Sequence, residues 1–207
     1  MKKQETMDNK NNVMIIEYGA GNLFSVRAAV ERLGYTVTVS DSPERIRAAD
    51  RVIFPGVGQA RSAMEKLRER GLDRVLPGLR VPVLGICLGM QLMCARSDEG
   101  DTPGLGIFPL EVKRLPAGVK VPHVGWNRLA RLSSPLFAGV PDGTWVYFVH
   151  SYHVPDAPHA VATCLYHAPF SAALRRDNFF GCQFHPEKSG EAGERVLRNF
   201  LAWDGHE

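Results

Sequence analysis

No apolar run in this sequence approaches the roughly 18 residues that a membrane-spanning helix needs, so no membrane association is expected. Clustered positive charge is missing too. Lys and Arg number 25 against 22 Asp and Glu, a formal net charge of +3, and no basic stripe of the kind that grips nucleic acid stands out. Residues 1–12 are polar and rich in Lys, Asn and Gln. Without an apolar stretch they do not read as a secretory signal, and a disordered tail is expected there. Cysteines are few. Cys87, Cys94, Cys164 and Cys182 form neither a C-x-x-C pair nor zinc-type spacing, so no metal site is expected. With no export signal they are expected to be reduced thiols in the cytosol. Internal repeats, low-complexity tracts and flexible linkers are also lacking, which points to one domain over residues 13–207.

What is present suits a soluble core: 44% of the 207 residues are hydrophobic, enough to bury a sizeable interior. The first half alternates short buried-strand runs with helical patterns. Val13 to Ile16, Tyr35 to Val39, Arg51 to Phe54 and Val81 to Ile86 read as strands. Helices are expected over residues 23–33, with Gly34 as its stop, 43–49, with Asp41 or Ser42 as cap, 60–70 and 88–95. Buried strands separated by helices indicate a doubly wound parallel sheet. The second half carries β-branched and aromatic runs at residues 110–115, 144–149, 160–165, 170–174 and 179–184, expected as mixed or antiparallel strands. Residues 189–203 close the chain as a helix. The fold class is therefore α/β with a mixed, doubly wound sheet.

One cysteine differs from the others. Gly85-Ile86-Cys87-Leu88-Gly89 follows a strand and opens a helix, a nucleophile elbow with Cys in the reactive position. The flanking glycines leave room where side chains would strike the neighbouring strand and helix. The helix start favours a thiolate, and the backbone N–H of Leu88 can face the same point as the sulfur, as half of an oxyanion hole. A buried structural Cys is the plain alternative for an isolated residue; the elbow context favours catalysis. Cys94, Cys164 and Cys182 read as core. Among seven histidines, His185 stands where Pro186 must end a strand, and Glu187 follows two residues on, placed to orient the imidazole. The expected triad is Cys87, His185 and Glu187. The glycine-rich segment Pro55-Gly56-Val57-Gly58 follows the third strand and offers the other oxyanion donor at Val57. It lacks the spacing and lysine of a phosphate-binding P-loop.

Gly85-Ile86-Cys87-Leu88-Gly89-Met90-Gln91 together with His185-Pro186-Glu187 resembles the class I, triad-type glutamine amidotransferases, whose fold is flavodoxin-like. Four further segments, Tyr18 to Leu23, Pro55 to Gly58, Pro122 to Asn127 and Phe148 to His153, with the run from Asp177 to Gly190, are similar to the branch formed by the glutaminase subunits of imidazole glycerol phosphate synthases. The resemblance spans residues 13–201. It implies that Cys87 attacks the glutamine carboxamide to give a glutamyl thioester. His185 protonates the leaving ammonia and then activates water, and Glu187 orients it. Val57 and Leu88 supply the oxyanion hole. Gln91, Glu99, Ser151 and Tyr152 hold the amino-acid end of glutamine, with no cofactor. A solvated loop charge remains an alternative for Glu99.

The resemblance also implies a partner, a (β/α)₈ cyclase subunit whose barrel receives the ammonia and makes imidazole glycerol phosphate and aminoimidazole carboxamide ribotide in histidine biosynthesis. Asn22, Trp126 and Lys188 are implied at that interface. Trp suits interface hot spots, although a core aromatic is the alternative for Trp126. His123 and His153 are expected at the interface or pocket edge. The 55–58 loop is expected to switch activity by a peptide flip. One departure from the family pattern is His167, where Gly is more usual. Rival readings are a glutaminase serving another acceptor, a cysteine hydrolase on the same fold, or a non-catalytic module. Gln91 with the H-P-E segment argues against the second, and the intact triad against the third.

Overall fold

The computed structural model describes residues 12–19 and 21–205. The expected tail lies outside those residues except Asn12, which instead opens the first strand and accepts a hydrogen bond from Thr38 Oγ1 at 2.9 Å. The alternating half comprises β1 (Asn12–Ile16), α1 (Leu23–Arg32), β2 (Thr36–Ser40), α2 (Pro43–Arg47), β3 (Arg51–Gly56), α3 (Ala60–Glu69), α4 (Leu72–Val75), β4 (Val83–Cys87) and α5 (Leu88–Leu92). The rest is β5 (Cys94–Ser97), β6 (Thr102–Pro103), β7 (Phe108–Arg114), β8 (His123–Ala130), β9 (Trp145–His150), β10 (Tyr152–His153), β11 (Ala160–Tyr166), β12 (Ala168–Arg176), β13 (Phe179–Cys182) and α6 (Gly190–Ala202).

Among the described residues, nine strands form the main sheet in the order β2-β1-β3-β4-β13-β12-β11-β8-β9. The first five are parallel to their neighbours, and the remaining pairings are antiparallel. Four of the parallel strands come from the expected alternating half and the fifth, β13, from the second half, and the parallel part has the flavodoxin-like order. Parallel strands covered on both faces should be continuously apolar, and every residue of β4 is buried. Alternate side chains enter two cores. Met14, Ile16, Val52 and Phe54 pack with Ile46, Met64, Leu67 and Leu88, beneath α2 to α5. Val13, Ile15, Ile53 and Leu84 pack with Val26 and Val30 of α1 and with Val196, Leu197 and Phe200 of α6. Four short strands, β10-β7-β5-β6, form a second sheet.

The elbow helix is shorter than expected: it ends at Leu92, and Cys94 belongs to β5. The carbonyls of Leu92, Met93 and Cys94 accept from the N–H groups of Leu105, Phe108 and Gly106. The chain after Leu92 is thus drawn into the second sheet instead of continuing the helix. Gly34 ends the first helical segment at φ +86°, and Ser42 rather than Asp41 caps α2, its Oγ accepting from Arg45 N–H at 3.3 Å.

Candidate active site

Three adjacent parallel strands, β3, β4 and β13, deliver residues to one place at their carboxyl ends. Gly56 at the end of β3 lies opposite Cys87 at the end of β4, and Cys182 of β13 lies opposite Ile86. Cys87 has φ +54° and ψ −110°, a conformation that costs a non-glycine residue about 1–3 kcal/mol. The surroundings hold it there. A Cβ on Gly89 would overlap the Phe54 carbonyl oxygen, and one on Gly85 would stand 2.8 Å from the Met90 nitrogen. Both elbow glycines are therefore dictated by close backbone approach, as the sequence predicts.

His185 is 2% exposed, and its backbone is held at both ends. Its N–H donates to the Tyr147 carbonyl at 2.9 Å. Its carbonyl accepts from Ser189 Oγ at 2.6 Å, and that hydroxyl in turn accepts from Tyr147 N–H at 3.0 Å. The ring Nδ1 lies 2.8 Å from Glu187 Oε1, with both side chains almost wholly buried. Nδ1 is thereby committed to Glu187, and among the described residues Nε2 has no hydrogen-bond partner. Burial alone would depress the imidazole's pKa. Its interactions with Cys87 and Glu187 outweigh that and hold the pKa well above the ordinary histidine range. The raised pKa favours the imidazolium form of His185, set between Cys87 and Glu187. Burial raises the thiol pKa of Cys94 and Cys164 to about 12 and pushes that of Cys182 higher still.

Cys87 and His185 line a cavity of about 350 Å³ shared with Val57, Gly58, Leu88, Gln91, Glu99, Ser151 and Tyr152. The structure therefore brings together eight of the nine residues expected at the triad, oxyanion hole and glutamine contacts, and Glu187 stands directly behind His185. Glu99 has a second task. Its Oε2 accepts from the Ala60 N–H at 2.8 Å, capping α3, and burial raises its carboxyl pKa. A larger hollow of about 600 Å³ surrounds Arg51, Arg80 and Asn178 at the amino ends of the strands, and its lining contains no Cys, Ser, Thr or His.

The expected interface residues lie outside this cavity. Trp126 is 52% exposed on β8, close to exposed Val124 and Trp145, so the core alternative for it is wrong. Asn22 caps α1 through Oδ1, and Lys188 is exposed just after Glu187. His123, expected at the interface or pocket edge, is buried between Tyr166 and Phe148. Sequence reasoning missed Gln183, whose Nε2 lies 3.8 Å from Cys87 Sγ, and His150, which lines the cavity. Gln183 follows β13 in the register that sets it beside Cys87. Among the described residues, no group of three or more His, Cys, Asp or Glu could hold a metal ion.

The family model for glutamine amidotransferase class-I matches residues 14–203. The chain belongs to the class-I glutamine amidotransferases. Within this amidotransferase family, its sequence is 54% identical over 192 residues to the imidazole glycerol phosphate synthase subunit HisH of Bacteroides fragilis strain YCH46, covering 91% of this chain and 98% of the relative. The subunit of the same name from Shewanella sediminis is 48% identical over 200 residues, covering 94% and 92%. In overall fold the amidotransferase is similar to a crystal structure of a glutamine amidotransferase, with a TM-score of 0.71 at 18% identity over 91% of this chain and 96% of that one. It is also similar to PurLQS from Thermotoga maritima, with a TM-score of 0.66 at 18% identity over 92% and 97%.

Proposed function

We propose that this chain is the glutaminase subunit of an imidazole glycerol phosphate synthase. The observation that carries the chemistry is the strained Cys87 in a cavity of about 350 Å³ with the buried His185–Glu187 pair behind it. Identity near 50% to HisH subunits over almost their whole length supports the pathway.

In this reading the Cys87 thiolate attacks the carboxamide carbon of glutamine. The carbonyl oxygen takes the negative charge and is held by the N–H groups of Val57 and Leu88. As the tetrahedral intermediate collapses, the C–N bond breaks and the imidazolium of His185 gives its proton to the leaving nitrogen. Ammonia departs and a glutamyl thioester remains. Neutral His185 then takes a proton from water, which attacks the thioester. Glutamate leaves and Cys87 is restored. Glu187 keeps the ring's Nε2 toward the sulfur and stabilises the charged form. Gln91, Glu99, Ser151 and Tyr152 hold the amino-acid end of the substrate, the carboxylate of Glu99 meeting its ammonium.

Free ammonia would be protonated in bulk water and lost as a nucleophile. A (β/α)₈ cyclase docked over the site receives it instead and forms imidazole glycerol phosphate and aminoimidazole carboxamide ribotide. The exposed apolar face of Val124, Trp126 and Trp145 suits such docking, with Asn22 and Lys188 nearer the catalytic loops. The 55–58 loop is the switch that this docking sets. A soluble cytoplasmic enzyme is the corresponding reading; among the described residues, no helix is long and apolar enough to cross a membrane. The test is covalent labelling with a diazoketone analogue of glutamine, read by mass spectrometry in the presence of the cyclase and its nucleotide ligand. One adduct on Cys87 is expected. Labelling at Cys94, Cys164 or Cys182 instead, or none at all, would overturn the assignment.

A further inference from the structure

A hydrogen-bond chain outside the reacting groups connects β8 to the nucleophile, and its polarity can be followed throughout. Asn127 Oδ1 accepts from the Arg128 N–H at 2.8 Å, so its amide nitrogen is the donor. That nitrogen donates to the Leu165 carbonyl at 3.0 Å and faces His123 Nε2 at 3.4 Å. His123 Nε2 is therefore an acceptor, and the proton sits on Nδ1, which lies 3.0 Å from His150 Nε2. His150 Nε2 must accept in turn, leaving its Nδ1–H to donate to the Tyr152 carbonyl at 2.9 Å. The same carbonyl accepts from Gln91 Nε2 at 2.8 Å, and the second hydrogen of that nitrogen goes to Gln183 Oε1 at 2.9 Å. Gln183 Nε2 then points to Cys87 Sγ.

Two consequences follow from donor and acceptor counting. Each histidine has one permitted tautomer, with hydrogen on Nδ1. Gln91 has both amide hydrogens engaged, so Oε1 is what this side chain offers the cavity. Turning the Gln91 amide over would set two oxygens against each other at Tyr152. Ring packing keeps the relay still, since His123 stacks on Tyr166 at 3.9 Å between ring centres and on Phe148 at 5.0 Å. Both rings are buried, and burial holds His150 down to about 3 and His123 to about 4, so neither carries charge at neutral pH.

We propose that Asn127, His123 and His150 are positioning residues that fix the Tyr152 carbonyl and, through it, the amide orientation of Gln91, so that the glutamine cavity presents an acceptor there. The subsite then favours a donor-bearing group, an ammonium or amide NH₂, and disfavours a carboxylate. The inference rests on the glutaminase reading of the cavity, but its first test does not. In ¹⁵N-labelled protein at neutral pH, long-range nitrogen–proton spectra should show both histidines neutral with the proton on Nδ1. An Nε2–H tautomer or an imidazolium at either position would overturn the relay without reference to turnover.

The second test separates positioning from packing. Gln at position 150 can still accept from His123 but has no donor where Nδ1 was; Asn keeps a donor at that place. With the cyclase and its nucleotide ligand present, H150Q should raise KM for glutamine about tenfold, the value of roughly one hydrogen bond. H150N should have a KM at least about threefold below that of H150Q. Equal KM values in the two variants would refute the proposal.

Discussion

Replacing Gly56 by alanine should damage turnover more than it damages binding. A Cβ there would lie 2.7 Å from the Gly89 nitrogen, 2.8 Å from the Tyr18 hydroxyl and 2.9 Å from Leu88 Cβ. Ordinary contact begins near 3.5 Å, so the end of β3 must retreat from α5 by roughly 0.7 Å. Overpacking of this kind costs about 1–3 kcal/mol of stability. The retreat carries the Val57 N–H away from the Leu88 N–H, the two donors assigned to the oxyanion. Complete loss of one such donor costs about 10²–10³ in kcat, and a partial misplacement should cost about 10–100-fold. KM should stay within about threefold, because the contacts at Gln91 and Glu99 are left in place. Gly58→Ala is the companion variant. Gly58 has φ +101°, and no atom of the described residues lies within 4 Å of where a Cβ would stand, so alanine brings backbone strain without a clash. It should lose about 1–3 kcal/mol of stability and less than about tenfold in kcat. Steady-state glutamate release with the cyclase and nucleotide ligand, beside urea unfolding of each variant, measures both quantities. A Gly56→Ala enzyme with unchanged kcat, or with its whole loss in KM, would refute this reasoning.

Glu99→Gln keeps an oxygen to cap α3 but removes the charge, so KM for glutamine should rise about tenfold while the melting temperature holds; Glu99→Ala should also lose roughly 1 kcal/mol of stability. His167 occupies the β11–β12 turn at φ +67°, a conformation suited to glycine, so His167→Gly should stabilise the protein by about 1 kcal/mol in urea unfolding, without a change in kcat. Buried His123 and His150 stay neutral when folded, with pKa values held below the 6.5 of the free side chain. Their stabilisation is complete above pH 6.5 and is lost as pH falls toward 4, at about 1.4 kcal/mol per pH unit for each. His185 acts with the opposite sign: its raised pKa stabilises the fold fully below pH 6.5, and that contribution is lost as pH rises from 6.5 toward about 10. Unfolding free energies between pH 7 and 4.5 should therefore decline, and a level or rising profile would contradict neutral burial of the His123–His150 pair.

The parts of the site that could be read from sequence are those whose geometry is local. An elbow is set by five consecutive residues, so Gly85, Cys87 and Gly89 announce it. His185, Pro186 and Glu187 announce a strand end with its own carboxylate. The parallel half was legible because strands covered on both faces are apolar without interruption. Residues brought together by strand register left no such mark. Gln183 meets Cys87 only because β13 lies beside β4, and His123 meets His150 only because β8 and β9 align them as cross-strand partners. β8 itself was not foreseen as a strand. It is interrupted by Gly125, alternates buried His123 and Leu129 with outward Val124, Trp126 and Arg128, and has few β-branched residues. Cys94 reads as helical from its local sequence, but the second sheet competes for the carbonyls that follow Leu92. Glu99 looked either like a substrate ligand or like a loop charge. Its cap on α3, formed between residues 39 positions apart, could not be seen in the local sequence.

The central claim is tested most directly by glutamate release from glutamine, measured for the chain alone, with a cyclase subunit, and with the cyclase and its nucleotide ligand, each beside Cys87→Ala. Strong turnover in the complete mixture only, abolished in the variant, is the predicted result. Turnover that persists in Cys87→Ala would contradict the assigned nucleophile, and turnover by the chain alone that cyclase and ligand leave unchanged would contradict the assigned partner.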